Sequence, residues 1–158
     1  MTRSLGCILF LTIFCLHSSN TAFSLSIDKL VEQLESSTKA KKTTECASLC
    51  MQIEANAREK RNWPLVARAM CHKIVIDCMQ NKGSSEDNIR ALQALIKDCA
   101  QAKLRTLLKM VLAEWYWGYY SARRSKFLDR SAVADEANTD FTTWDRDRIF
   151  QEIEDLFE

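Results

Sequence analysis

The sequence predicts an all-α protein of five or six amphipathic helices, stacked as helical hairpins in an α-solenoid-like array or a small bundle. Three observations carry that expectation. Apolar residues recur at steps of three and four along most of the 158-residue chain. Three Gly and one Pro are too few for the many turns of a sandwich or barrel. One stretch, Leu112 to Leu128, is dense enough in rings to organise a core: Trp115, Tyr116, Trp117, Tyr119 and Tyr120 fall within six residues, and Arg123, Arg124, Lys126 and Phe127 follow.

The length suits a single domain. A content of 47% hydrophobic and 27% charged residues is that of an ordinary globular protein. Formal net charge is +1, without the basic excess of a nucleic-acid or anionic-membrane binder. Both partners are therefore set aside.

The N-terminus reads as a secretory signal peptide over residues 1–24. Arg3 supplies the positive end, Leu5 to Leu16 the apolar run, and Ala22-Phe23-Ser24 the small residues of a cleavage site after Ser24. The run is shorter than the roughly 20 residues that span a bilayer. Cys15 follows Phe14 rather than a small residue, which argues against a lipoprotein signal. The expectation is an exported protein, periplasmic or extracellular, in which residues 25–158 form a single helical domain with no stable membrane insertion.

The first helix is expected over Ser26 to Ser36, with Ser26 as cap and Ile27, Leu30, Val31 and Leu34 as its stripe. A Lys-rich loop leads to a second, from about Thr44 to Arg61, with Cys46, Leu49, Cys50, Ile53 and Ala57 on one face. Asn62-Trp63-Pro64 breaks it, and Pro64 suits the first turn of the next. That third helix runs to about Gln80 on Val66, Ala67, Met70, Cys71, Ile74 and Cys78. Gly83 is expected just beyond its C-cap. Ser84 or Ser85 with Glu86 and Asp87 starts a fourth, whose stripe is Ile89, Leu92, Leu95, Ile96 and Cys99.

A break at Ala100 to Ala102 precedes a long helix from about Lys103 to Phe127. Leu108, Val111, Leu112, Trp115 and Tyr119 share one face of it, Tyr116 and Tyr120 lie on the flank, and Trp117 points largely away. Each ring can bury roughly 150–250 Å². The favoured reading is an aromatic core anchor with a solvated basic end suited to the helix dipole. The rival is an aromatic and basic binding surface. Residues 129–143 lose all periodicity and read as an irregular loop. Thr142 or Thr143 then caps a last helix on Ile149, Phe150, Ile153 and Leu156 or Phe157, still running at Glu158.

Chemistry is sought and not found. Cys7 and Cys15 leave with the signal, so Cys46, Cys50, Cys71, Cys78 and Cys99 remain. In an oxidising compartment they permit up to two disulfides and one free thiol. All five sit at apolar helix positions, which favours small buried hydrophobes. Any bond is expected between the Cys46/Cys50 helix and the Cys71/Cys78 helix. His72 beside Cys71 does not match zinc-ligand spacing, because side chains adjacent on a helix diverge by about 100°. No Gly-x-Ser-x-Gly and no Gly-rich phosphate loop occurs. The expectation is a protein that is not an enzyme, with no metal and no cofactor.

Three segments carry a family resemblance: Ala113 to Tyr120, Arg123 to Arg130, and Asp140-Phe-Thr-Thr-Trp-Asp145. Together they resemble the N-terminal helical region of large bacterial alpha-2-macroglobulin-family proteins. The match is close from Leu112 to about Phe157, and only helical in character from Ser26 to Lys109. The family continues into β-sandwich macroglobulin domains, and some members trap proteases through a Cys-x-Glu-Gln thioester. Neither feature occurs here, so the resemblance implies a truncated or split N-terminal piece that is not itself a trap. It implies structural or interaction roles for Trp115, Tyr116, Trp117, Tyr119, Tyr120, Arg123, Arg124, Phe127, Thr143, Trp144 and Asp145, with Arg124 and Asp145 a candidate pair across the loop. The partner would be a protein or the remainder of a larger polypeptide. The alternative is a free-standing secreted helical protein that holds a small apolar ligand between its helices.

Overall fold

The computed structural model describes residues 26–128 and 139–158; the expected signal peptide at 1–24 and the expected loop from 129 to 138 lie outside the described residues. Within them the chain is all-α. The helices are α1 Ile27–Lys39, α2 Thr43–Glu59, α3 Trp63–Gln80, α4 Ser85–Asp98, α5 Ala102–Ala122, α6 Arg124–Leu128 and α7 Arg146–Asp155.

Side chains cap the starts of α3, α4, α5 and α7. Ser26, at the expected cap position of α1, makes no side-chain cap bond, and neither does Lys42 at α2. The Asn62 side chain accepts from the Leu65 N–H with Pro64 in the first turn, as expected of residues that satisfy or lack the orphan donors there. Ser84 and Asp87 form a reciprocal capping box at α4. Gln101 accepts from the Leu104 N–H at 3.2 Å. The last helix corrects the expectation: its cap is neither Thr142 nor Thr143 but Asp145, whose carboxylate accepts from the Arg148 N–H at 2.8 Å. The threonines are used one step earlier. Thr142 donates its N–H and hydroxyl to the Asp140 carboxylate, and the Thr143 hydroxyl donates to the Asp140 carbonyl.

The first three helices all stop in the same way. Lys41, Arg61 and Lys82 adopt left-handed backbone with φ of 56°, 53° and 54°. Beyond each, an N–H reaches back to a carbonyl of the last turn: Lys42 to Ser37 at 3.0 Å, Asn62 to Ala57 at 2.8 Å and Gly83 to Cys78 at 2.8 Å. These are Schellman caps. The C-cap of α3 is Asn81, so Gly83 lies beyond it as expected, while Lys82 takes the left-handed position. Gly83 is needed for space instead, because a Cβ there would collide with Cys78 Sγ, which donates to the Ser84 carbonyl at 3.2 Å.

α2 packs on α1 and α3, α3 also meets α4 and α5, and α5 meets α4 and α7. Two apolar clusters result. The smaller joins Leu30 and Leu34 of α1, Leu49 and Ile53 of α2, and Ala69 and Ile76 of α3. The larger joins Val66, Ala67 and Cys71 of α3 to Ile89, Leu92, Leu104, Leu108, Leu112 and the rings of α5, α6 and α7. α3 is the shared wall, and its partly buried Leu65 touches both. A helix buried on two sides has no single stripe, so Met70, Ile74 and Cys78 are only half-buried while Ala69 and Ile76 are buried.

α5 ends at Ala122, five residues before the expected end at Phe127. Arg123 leaves the helical region at φ −125° and its N–H bonds Tyr120. The break lets α6 fold Phe127 back against the Tyr119 and Tyr120 rings, at centroid distances of 5.9 and 5.3 Å. Phe127 is 2% exposed; burial on that scale offsets the loss of one helical turn. α7 ends at Asp155, so the chain is no longer helical at Glu158, and Phe157 is exposed.

Candidate functional site

The ring cluster grows from the face of α5. Leu104, Leu108, Leu112, Tyr116, Tyr119 and Tyr120 are buried. Tyr116, expected on the flank, is the centre with no exposed surface, while Trp115 is only half-buried. Tyr116 meets Phe141 and Trp144, both at 5.7 Å, and Phe141 lies edge-on to Tyr119 at 5.1 Å. Such tilted and edge-on pairs add roughly 0.5–1.5 kcal/mol each beyond area burial. The segment Asp140 to Asp145 is therefore a plug: Phe141 and Trp144 are buried within the larger cluster, and the turn delivers the chain to α7. Ile149 and Phe150 continue the contact, with Phe150 4.9 Å from Tyr120.

One polar bond lies inside. Gln93 Nε2 donates to the Tyr116 hydroxyl at 2.7 Å. Burial, with Glu152 nearby as a lesser cause, pushes the Tyr116 phenol well above its ordinary value. The phenol is a buried core group held in its neutral form.

Three arginines cover the rim. Arg123 lies 4.3 Å over the Tyr119 ring and binds Glu86 at 2.6 Å. Arg90 lies over Phe141 at 5.5 Å and approaches Asp140 at 3.8 Å. Arg148 lies over Trp144 at 5.4 Å. Stacking of this kind is worth about 0.5–2 kcal/mol according to exposure. Arg123 thus ties the end of α5 to the start of α4, whereas Arg124 and Lys126 are exposed. The expected Arg124–Asp145 pair is not formed, and Asp145 caps α7. Thr143 is held in the Asp140 turn. Gln93, Arg90, Glu86 and Phe141 complete the cluster and were not among the candidates. Phe141 stood in plain view inside the Asp140-to-Asp145 motif.

All five cysteines are free thiols. No bond joins the Cys46/Cys50 helix to the Cys71/Cys78 helix. Cys46, Cys50 and Cys71 are buried, and burial raises the Cys50 and Cys71 thiols to about 11, helped at Cys50 by neighbouring Cys46. Groups so perturbed are poor nucleophiles. His72 is lowered by burial and then by Arg68, with Glu35 opposing. No group of three or more metal-ligating side chains occurs among the described residues, and no helix among them is long and apolar enough to cross a membrane.

Outside the cluster, open clefts lie between α1 and α3 and between α3 and α4, and two more lie along α3 and α5. A cleft of about 430 Å³ is walled by Ala67, Cys71, Leu107, Met110 and Val111, with Arg68, His72 and Glu114 at its rim. A second, of about 440 Å³, is walled by Val75, Ile89, Trp115, Trp117, Gly118 and Tyr119, with Ser85 and Asn88 at the α4 end. Asn88 Oδ1 is buried without a hydrogen-bond partner. Trp117 is 54% exposed and Met110 49%. Of the sequence candidates, the structure gathers Tyr116, Tyr119, Tyr120, Phe127 and Trp144 in the core and leaves Trp115 and Trp117 on this open side.

No protein-family model, curated protein or solved structure matches the chain.

Proposed function

We propose that this chain is a non-enzymatic, exported helical interaction module, serving as the N-terminal part of an alpha-2-macroglobulin-like protein. In this reading the helices stack as hairpins in a solenoid-like array, and one face is kept for a protein partner or for the remainder of a larger polypeptide. One observation carries it. The residues that bear the family resemblance converge: Tyr116, Phe141 and Trp144 meet in one buried ring cluster. They fix α7 onto α5 and leave Trp117 and Met110 exposed on the outer side. The titratable groups in the core are a phenol and thiols held neutral, which serve packing and not proton transfer.

The test is intact-mass and limited-proteolysis analysis of the protein made by its native host. A mature N-terminus at Leu25, within or tightly bound to a large β-rich macroglobulin-type protein, is the expected result. A lone species of residues 25–158 would overturn the assignment.

A second reading is favoured by the cleft between α3 and α5. Its volume and apolar walls fall in the range of small-ligand sites, as in a carrier of an apolar molecule. Native mass spectrometry distinguishes it by a co-purifying small molecule.

A further inference from the structure

The two clefts are neighbours that share Glu114 in their lining. Along α3 the wall residues step through Pro64, Ala67, Cys71 and Val75; along α5 they step through Leu107, Val111, Trp115 and Gly118. Each series follows the three-and-four spacing of a single helix face. Pro64 shares a cleft with Leu107, and Val75 shares one with Gly118, so the two helices run in the same direction. The step from Leu107 to Gly118 is about 17 Å of helix at 1.5 Å per residue, or three turns.

Gly118 needs explanation. Glycine inside a helix costs about 1 kcal/mol relative to Ala. Its φ is not positive, so the backbone does not require it. A Cβ there would meet nothing within 4 Å, so no packing inside the chain requires it either. The side of α5 at Gly118 is open space, where another chain can approach the backbone closely. Beside it, Trp115 is half-buried and Trp117 is exposed, and Met110 offers the adaptable apolar surface common at binding faces. Glu114 is an exposed carboxylate with no ion pair among the described residues, while the neighbouring cation Arg68 is already matched to Glu35 at 3.2 Å.

We propose that α3 and α5 form a docking groove for one amphipathic helix of a protein partner, which sets a small residue over Gly118 and a Lys or Arg against Glu114. The proposal rests on the interaction-module reading and gives it a place. Helix-in-groove binding fits the three-turn length and the apolar walls. The small residue answers the open space at Gly118, and the basic residue answers the uncompensated carboxylate.

The experiment uses the full chain in its native host, with a photo-reactive benzophenone side chain at position 110 and, separately, at position 51 on α2. The proposal expects cross-links from position 110, mapped to an amphipathic helix that carries a basic residue. Gly118→Leu and Glu114→Lys should each weaken that complex by about ten-fold or more, the range of a lost interface anchor. Exchanging the partner's basic residue for Glu should restore binding to Glu114→Lys. Gly118→Leu should also raise Tm, which shows that the variant folds. Cross-links from position 51 alone would leave an interaction module but overturn the groove. No protein cross-link from either position overturns both readings. A co-purifying small molecule displaced by Gly118→Leu gives the groove a ligand in place of a helix, and also refutes the proposal.

Discussion

Removal of the Trp144 ring tests whether the plug at Asp140 to Asp145 holds the C-terminal helix. Trp144 is 3% exposed and meets Tyr116 at 5.7 Å, Phe141 at 6.4 Å and Arg148 at 5.4 Å. Trp144→Ala deletes the largest ring of the plug. Large-to-small core changes of this size cost about 3–5 kcal/mol, against a total of roughly 5–15 kcal/mol for a domain. At about 3–4 °C per kcal/mol for a domain of this size, Tm falls by about 9–20 °C. α7 spans only ten residues, too few to be helical alone, so its amides should lose hydrogen-exchange protection before those of α2 and α3. The pairwise share is separable: a Tyr116→Leu, Trp144→Leu cycle should give a coupling of about 0.5–1.5 kcal/mol. The assays are urea denaturation followed by circular dichroism, and hydrogen exchange. A loss below about 1 kcal/mol with α7 still fully protected would refute the plug.

Further expectations follow from the same geometry. Asn88→Ala removes a buried oxygen that has no partner and replaces a weak helix former, so stability should rise by about 1–2 kcal/mol in denaturant titration; a loss would mean that the oxygen is satisfied in solution. Arg61→Gly relieves left-handed backbone at φ 53° and should stabilise by up to about 1 kcal/mol, since unfolded-chain entropy offsets part of the relief. Ser84→Ala breaks the capping box of α4 and should cost about 0.5–2 kcal/mol. Burial lifts the Cys50 and Cys71 thiols from 9.0 to about 11. The folded state then holds these protons more tightly than the unfolded chain. That stability is present below pH 9 and is lost as pH climbs to 11. The urea midpoint should decline across that window, and decline less in Cys50→Ala, Cys71→Ala protein.

The helices were legible because their signals are local. Pro64 and the Ser84–Asp87 box mark starts that any reader of capping chemistry finds. The turns were half-legible. Glycine adopts left-handed backbone most freely, yet Lys41, Arg61 and Lys82 adopt it, each held by two backbone bonds back to the last turn that do not depend on side-chain identity. Periodicity puts Trp115 on the main face of α5 and Tyr116 on its flank, whereas Tyr116 is fully buried and Trp115 only half-buried. On a helix neighboured by α3, α4 and α7, the buried arc is wider than one stripe, and periodicity does not say which ring is central. The break at Arg123 leaves no local mark, because it exists to return Phe127 to Tyr119 and Tyr120. Phe141 is visible in the Asp140-to-Asp145 motif, but the polar stretch around it has no period to say that its ring is buried. The groove itself was invisible, since it consists of what α3 and α5 leave uncovered.

The division of the interior into two clusters has a spectroscopic consequence. Trp63, Trp115 and Trp144 pack into or against the larger cluster, Trp117 stacks beside it on Tyr120 and Phe150, and all three tyrosines lie on α5. The smaller cluster is built from Leu, Ile, Ala and Cys alone. Intrinsic fluorescence and near-ultraviolet dichroism therefore see one half of the molecule, and α1 and α2 can melt in the dark. Only a signal that counts peptide bonds, such as far-ultraviolet dichroism, records both halves, and any gap between the two curves measures how firmly α3 binds one half to the other.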